Sequence, residues 1–295
     1  MKGFGRQHVN NITLKSRLSS FSSPTQRNPR YDGVQSTTPM PTTHLLQIAK
    51  KLAHDAGKMA LKYQQKGFTV DFKDGNPLNL VTEADKAVDE FLVKTIRNNF
   101  PDHSILTEES GAIDGPGDYK WIIDPIDGTS NFAHGIPLFA ISIAITHKGK
   151  PIIGVVEIPG LKESFWAQEG HGAYIGMRKI EVSKVNTIQK ALMATGFSYD
   201  RQGKRFEKNM ELFHELYKPS LGLRRSGSAA MDLCFLACGR YDAFWEYDLN
   251  SWDIAAGKII VEEAGGMVTN IDGTPLNPKN GALLATNGSL HHTML

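Results

Sequence analysis

Cysteine is nearly absent: Cys234 and Cys238 are the whole complement. They stand four residues apart along the apolar run 229–237 and its end, not as C-x-x-C, and no second Cys/His pair accompanies them. A zinc site is thereby excluded and two small buried hydrophobes are expected, at home in a reducing compartment. Long apolar runs are also missing. A membrane-spanning helix needs about 20 consecutive apolar residues, and nothing in the chain approaches that length. Excess positive charge is lacking where it would count. The net charge is +2, but residues 1–40 hold six basic residues and one acid, Asp32, which leaves 27 basic against 30 acidic residues and a net of −3 over 41–295. A mildly acidic body has no electrostatic footprint for a phosphodiester backbone. Neither nucleic acid nor a membrane is an expected partner.

What is present is a globular composition. Hydrophobic residues make up 40% of 295 and Gly numbers 28, which suits an α/β chain rich in turns, built as one large or two intimately joined domains. Residues 1–40 are rich in Ser, Thr, Asn, Gln and Pro without apolar periodicity, so they bury too little surface to offset ordering entropy. They read as a disordered or targeting tail. Their basic, Ser-rich, nearly acid-free character also fits a transit peptide, so the cytoplasm is the expected location and an organelle the alternative.

Beyond the tail the periodicities are clear. Leu45, Ile48, Leu52, Ala56, Met59 and Tyr63 recur at helical spacing. Asn76-Pro77 breaks the chain, 78–81 reads as extended, and Thr82-Glu-Ala-Asp85 resembles a capping box opening a second helix that Pro101 ends. Strands are expected at Trp121–Ile123, Phe139–Thr146, Pro151–Glu157 and Ser164–Ala167. Helices follow over Phe206–Leu216, Ala229–Ala237 and Asp253–Ala264, with strands at Tyr241–Trp245 and Met267–Thr269. This pattern of helices, a strand-rich block and an α/β block predicts two sheets with helices packed around them. The expected subdivision is 41–185, an α+β part, and 186–295, an α/β part.

The most informative stretch is Trp121-Ile-Ile-Asp-Pro-Ile-Asp-Gly-Thr-Ser-Asn-Phe132. Asp124 and Asp127 close an apolar strand, Pro125 holds Asp124 extended, and Gly128 permits a sharp turn that brings the Gly128 and Thr129 N–H groups near whatever the carboxylates hold. Carboxylates and a carbonyl in a tight turn suit a hard cation such as Mg²⁺. The tetrapeptide alone fits a strand-end turn with Asp caps equally well. Asp253, in Ser251-Trp-Asp-Ile-Ala-Ala-Gly257, stands where a helix begins, so a capping role competes with a functional one. With Glu108 it completes a set of four acids at strand ends and helix starts. Four acids gathered in one cleft require cations to compensate them.

Asp124-Pro-Ile-Asp-Gly-Thr-Ser-Asn-Phe, Thr107-Glu-Glu-Ser110, Trp252-Asp-Ile-Ala-Ala-Gly and Glu262-Glu-Ala-Gly-Gly266 together resemble the signatures of the inositol monophosphatase family, in order and at matching intervals from about His44 onward. The resemblance implies a layered α/β/α/β/α sandwich of two mixed sheets, assembled as a homodimer, and Mg²⁺-dependent, lithium-sensitive hydrolysis of a small phosphate monoester. It places two or three Mg²⁺ ions on Glu108, Asp124, the Ile126 carbonyl, Asp127 and Asp253. It makes Thr129 and Asp85 the pair that orients and deprotonates the attacking water. Phosphate contacts fall on Gly128 and Thr129, and substrate contacts on Gly227, Ser228, Ala229, Glu246, Asp253 and Arg224. Glu109 is expected beside the ligands and not among them, and His134 is expected to be structural. A polyol or sugar phosphate is the implied substrate, myo-inositol monophosphate foremost. Histidinol phosphate, fructose 1,6-bisphosphate and 3′-phosphoadenosine phosphate are the family alternatives. A non-catalytic Mg²⁺-binding scaffold would have lost a motif acid, and none is lost. The chain ends at His291-His-Thr-Met-Leu295, early for the last helix the resemblance implies.

Overall fold

The computed structural model describes residues 42–76, 79–277 and 281–295. The tail expected over 1–40, and Pro77 and Leu78 of the expected break and extended run, lie outside the described residues. Two helices lead the fold. α1 (Thr42–Lys66) buries Leu45, Ala49, Leu52, Ala56 and Ala60 on one face, and α2 (Glu83–Asn99) buries Val88, Leu92 and Ile96. Between them lies an antiparallel hairpin of β1 (Val70–Phe72) and β2 (Leu80–Thr82). The capping box is present: the Thr82 side chain accepts from the Ala84 and Asp85 N–H groups, and Asp85 Oδ2 accepts from the Thr82 N–H at 2.8 Å.

The first sheet contains β3 (Ser104–Thr107), β4 (Gly111–Ile113), β5 (Tyr119–Asp127), β6 (Ala140–His147), β7 (Lys150–Ile158), β8 (Glu163–Gln168), β9 (Ala173–Ile175) and β10 (Arg178–Ile180). Its order is β10-β9-β8-β7-β6-β5-β3-β4, and all pairs are antiparallel except β3 with β5. A one-turn helix, α3 (Thr129–Ala133), separates β5 from β6. The second sheet contains β11 (Leu192–Thr195), β12 (Gly222–Arg224), β13 (Ala243–Glu246), β14 (Met267–Thr269) and β15 (Leu283–Thr286), in the order β12-β11-β13-β15-β14. Here β11 runs parallel to both β12 and β13, and the remaining pairs are antiparallel. Four helices accompany it: α4 (Lys204–Tyr217), α5 (Ala229–Ala237), α6 (Ser251–Glu263) and α7 (His291–Met294).

Strand alternation sorts the side chains into layers. Along β6, Ile141, Ile143 and Ile145 join the core beneath α1 and α2, whereas Ala140 and Ala144 face the core that holds α5 and α6. That middle core also takes Ala194, Phe244 and Ala285 from the second sheet. On the far side of the second sheet, Met193, Ala243, Trp245 and Leu284 pack with Leu212, Phe213 and Leu216 of α4 and Met294 of α7. The result is the α/β/α/β/α sandwich with two mixed sheets. Close approach between layers depends on missing side chains. A Cβ on Gly154 of β7 would lie 2.5 Å from the Ala256 carbonyl oxygen of α6, and one on Gly257 would lie 2.4 Å from Leu233 Cδ1 of α5. This seating holds the N-termini of α5 and α6 at the end of β5, where the acids are.

Candidate active site

The pairing of β5 with β6 slips between Asp124 and Asp127: Asp124 opposes Ser142, but Asp127 opposes Ala140. Pro125 has no N–H to contribute to the ladder, and an extra residue bulges out. The bulge interrupts the ladder between the two acids, and the Ile126 carbonyl there accepts from the Thr129 hydroxyl. Asp124 Oδ1 accepts from the Ile126 N–H at 3.0 Å, closing the turn locally. Gly128 then adopts φ 92° and ψ 39°. It must be glycine on two counts, because a Cβ there would also meet the carbonyl oxygens of Gly227 and Leu138 at 3.0 and 3.1 Å. Thr129 Oγ1 follows, 3.1 Å from the Ile126 carbonyl oxygen and 3.1 Å from Asp85 Oδ1. Asp85 thus both closes the capping box of α2, whose cap is Thr82, and partners the Thr129 hydroxyl.

Each remaining acid arrives on a different element. Glu108 sits just past β3, its N–H bonded to the Ile123 carbonyl at 3.3 Å. Asp253 occupies the third position of α6 and accepts from the Asn250 N–H at 2.6 Å, so the residue at the cap itself is Asn250. Asp127 is gripped by the start of α5: its Oδ2 accepts from Ser228 Oγ at 2.6 Å and from the Ala230 N–H at 2.7 Å. Asp124, Asp127 and Asp253 converge so that one carboxylate oxygen from each lies within 4.8 Å of the others.

The electrostatics of this cluster are severe. Burial pushes the Asp124 carboxyl well above the ordinary carboxylate range, and Glu108, Asp127, Asp253 and Asp85 push it further. Burial likewise raises Asp253, with Asp127 and Glu108 adding to it. Asp127 is also raised by burial, against the opposing pull of its bonds from Ser228 and Ala230. Asp85 is raised to about 6, by burial first, with the Thr82 hydrogen bonds opposing. Among the described residues no Lys or Arg forms an ion pair with Asp124, Asp127 or Asp253. One cation does reach the rim: Lys73 Nζ lies 2.7 Å from Glu108 Oε1 and 2.6 Å from Glu109 Oε1. Burial alone would lower the Lys73 pKa, but the two glutamates outweigh it and hold the ammonium above the usual lysine range. Hard carboxylate oxygens that converge without a compensating side chain are the donor set a divalent cation takes. The residues present fit such an ion.

The acids open on a cleft of about 140 Å³, a space for a small molecule. Gly227, Ser228, Ala229 and Glu246 line it together with Ile126, Gly128 and Thr129. Glu246 lies flat against Gly196, where a Cβ would stand 2.1 Å from both carboxylate oxygens, and burial drives its pKa well up, with Asp232 and Asp253 adding. Arg224 does not line the cleft. It ends β12, where Leu223 turns into the α4 core, and its exposed guanidinium folds back onto the Leu223 carbonyl at 3.0 Å. Its neighbour Arg225 is the arginine that reaches the cleft. Sequence reasoning also missed Lys73, Phe197, Tyr199 and Asp232. Adjacent arginines carry no cue to which one turns inward, and Lys73 sits in a short hairpin without periodicity. His134 stays on the surface, its Nδ1 2.8 Å from the Ser130 carbonyl oxygen, and Glu109 meets Lys73.

The model of the inositol monophosphatase family matches residues 42–295. A chloroplastic phosphatase of Arabidopsis thaliana, IMPL1, is 40% identical over 291 residues, covering 96% of this chain and 77% of that protein. The Nus factor SuhB of Pseudomonas aeruginosa is 38% identical over 255 residues, covering 85% of this chain and 94% of its own. Among solved structures, an inositol monophosphatase from Anabaena (Nostoc) sp. superposes with a TM-score of 0.78 at 41% identity, covering 86% of this chain and 95% of that one.

Proposed function

The chain belongs to the inositol monophosphatase family, and from that premise we propose that it hydrolyses a small phosphate monoester at a Mg²⁺ site, with myo-inositol monophosphate as the leading substrate. The observation that carries this reading is the convergence of Asp124, Asp127 and Asp253 beside the Thr129–Asp85 pair. Two or three Mg²⁺ ions would be held by Glu108, Asp124, Asp127, Asp253 and the Ile126 carbonyl. When bound, such ions neutralise phosphoryl oxygens and acidify water.

The chain's own groups do the rest. The Gly128 and Thr129 N–H groups receive the phosphoryl oxygens. Thr129 Oγ1 orients the attacking water, and Asp85, poised near neutrality, accepts its proton. Water oxygen bonds to phosphorus as the bond from phosphorus to the alcohol oxygen breaks, and the alcohol leaves with a proton from solvent. Positioning and charge neutralisation suffice for phosphoryl transfer, so no Ser or Cys nucleophile is required. Gly227, Ser228, Ala229, Glu246 and Asp253 take up the hydroxyl groups of the alcohol, and Arg225 assumes the place that sequence reasoning gave to Arg224.

Homodimer assembly and inhibition by Li⁺ belong to the same proposal, resting on the family resemblance. The chloroplastic relative matches the chain almost throughout and supports the organelle alternative for residues 1–40. The Nus factor name belongs to the P. aeruginosa protein; the net −3 of residues 41–295 lends no support to nucleic-acid binding by this chain. The test is phosphate release from polyol, sugar, amino-alcohol and nucleotide monophosphates with Mg²⁺ present and absent. Release confined to Mg²⁺ and greatest for polyol esters supports the proposal. Release indifferent to Mg²⁺, or none from any ester, refutes it.

A further inference from the structure

Asp232 is a buried acid of the cleft that the phosphatase reading leaves without a task. It lies in the first turn of α5, is 1% exposed, and lines the cleft together with Glu246. Part of its placement has a local cause. An acid in a first helical turn suits the positive end of the helix, and Asp232 Oδ1 accepts from Ser226 Oγ, which ties the loop before α5 to the helix. Neither cause accounts for the second oxygen. Among the described residues Oδ2 has no hydrogen-bond partner, and Asp232 forms no ion pair. The side-chain atoms that are both unpartnered and shut off from solvent lie elsewhere, on Asp89, Glu157, Trp245 and Trp252. Asp232 Oδ2 therefore keeps an accessible face, and it opens on the cleft that the residue lines.

Glu246 reaches the same place from the second sheet. β11 and β13 run parallel with Thr195 opposite Trp245, which sets Gly196 and Glu246 side by side where the strands end. Glu246 too has no hydrogen-bond or ion-pair partner among the described residues. The two acids are electrostatic neighbours: after burial, Asp232 is the group that raises the Glu246 pKa most. Arg225, the only base that lines the cleft, opposes the rise at both acids and forms an ion pair with neither. This corner of the cleft thus has free acceptor oxygens and a positive charge already acting on them. What it lacks is hydrogen-bond donors. Uncharged O–H groups supply donors without adding a second cation beside Arg225, and a buried carboxylate left without them costs more than one that is paired.

We propose that Asp232 is a specificity-determining residue which, beside Glu246, accepts a hydrogen bond from a second hydroxyl of the alcohol, so that esters with two free hydroxyls are selected over esters with one. The proposal rests on the phosphatase reading above and adds to it a requirement on the alcohol. Glu246 takes one hydroxyl and Asp232 Oδ2 the other, while Asp232 Oδ1 stays with Ser226.

The test uses the monophosphates of cyclohexanol, cyclohexane-1,2-diol and cyclohexane-1,2,3-triol, a series on one ring that leaves none, one and two hydroxyls free. For the full chain in Mg²⁺, kcat/KM should rise with each added hydroxyl. Asp232→Asn keeps the volume and an oxygen for Ser226, but exchanges the free carboxylate oxygen for an amide. It should reduce the triol-to-diol ratio roughly tenfold, the gap between a hydrogen bond to a charged group and one to a neutral group. The loss should appear in KM for the triol ester, with the Mg²⁺ affinity measured by calorimetry unchanged, because no assigned metal ligand is altered. Ser226→Ala removes the tie to the loop and leaves the carboxylate, so it should lower Tm and preserve the ratio. A wild type indifferent to the second hydroxyl overturns the proposal, as does a ratio that survives Asp232→Asn. A loss that Asp232→Asn spreads evenly over all three esters, or that Ser226→Ala reproduces in full, assigns Asp232 to the loop alone and overturns it too. Calorimetric binding of the same esters keeps the two claims separate. If no ester is hydrolysed, the phosphatase reading fails, and the triol-to-diol ratio of binding constants, with its response to Asp232→Asn, still decides for or against the role of Asp232.

Discussion

Replacing Asp124 by Asn should make the metal-free protein more stable and the metal-loaded protein inactive. Asp124 is 1% exposed and stands among Glu108, Asp127, Asp253 and Asp85, all of which oppose its ionisation. The substitution removes one charge with almost no change of volume. It retains an Oδ1 that can accept from the Ile126 N–H, now at 3.0 Å, and it supplies an amide donor toward Asp253. Relieving a crowded functional site commonly contributes about 0.5–2 kcal/mol. For a folded body of this size each kcal/mol shifts Tm by about 2–4 °C, so melts in excess chelator should show a rise of about 1–8 °C. Magnesium reverses the order. A cation present at 100 times its Kd stabilises the wild type by about 2.7 kcal/mol, and the variant, short of its central ligand, should gain little of this. Phosphate release should fall roughly a hundredfold or more, the scale of losing one electrostatic contact to the transition state. Paired thermal melts in chelator and in saturating Mg²⁺ make the measurement. A variant less stable than wild type without metal, or one that keeps the full Mg²⁺ shift, would refute the reasoning.

Three further outcomes are expected. Gly154→Ala should cost about 1–3 kcal/mol in denaturant unfolding, because its Cβ meets the Ala256 backbone carbonyl at 2.5 Å and backbone in a packed helix yields little; an unchanged midpoint would mean that α6 does not seat on β7 as described. Glu246→Gln should raise KM for a polyol monophosphate much more than for an aryl phosphate, since a buried carboxylate discriminates by being left unpaired when hydroxyls are missing; equal losses on both esters would assign Glu246 to support of the metal ligands. A chain beginning at Pro41 should keep its Tm and specific activity, because residues 1–40 contribute none of the assigned groups; loss of most activity at constant Mg²⁺ would show that the tail helps to order the site.

The layers were legible where periodicity was long. The 25-residue α1, the alternating isoleucines of β6, the apolar run of β7 and the capping box at Thr82–Asp85 all emit signals that local sequence carries by itself. Several short elements do not, although β13 and β14 were expected: β11 and β15, four residues each, and β12, three residues, are stabilised by neighbours distant in the chain. Composition named the acids of the site, but their meeting depends on Pro125 bulging β5 and on Gly154 and Gly257 drawing α6 against its neighbours. Those are tertiary facts. The position given to Arg224 shows the limit most clearly. Which of two adjacent arginines enters the cleft is fixed by Leu223 turning into the α4 core, and a side chain's direction at a strand end follows from packing that the local string does not encode.

The most direct test of a Mg²⁺-dependent phosphatase is phosphate release from myo-inositol 1-phosphate by the full chain as free Mg²⁺ is titrated upward from complete chelation. The expected result is no release without metal, a saturable rise as Mg²⁺ is restored, and full recovery after a cycle of chelation and reloading. Release that persists undiminished in chelator, or that stays absent at every Mg²⁺ concentration, would contradict the assignment of Asp124, Asp127 and Asp253 as the groups that make this cleft work.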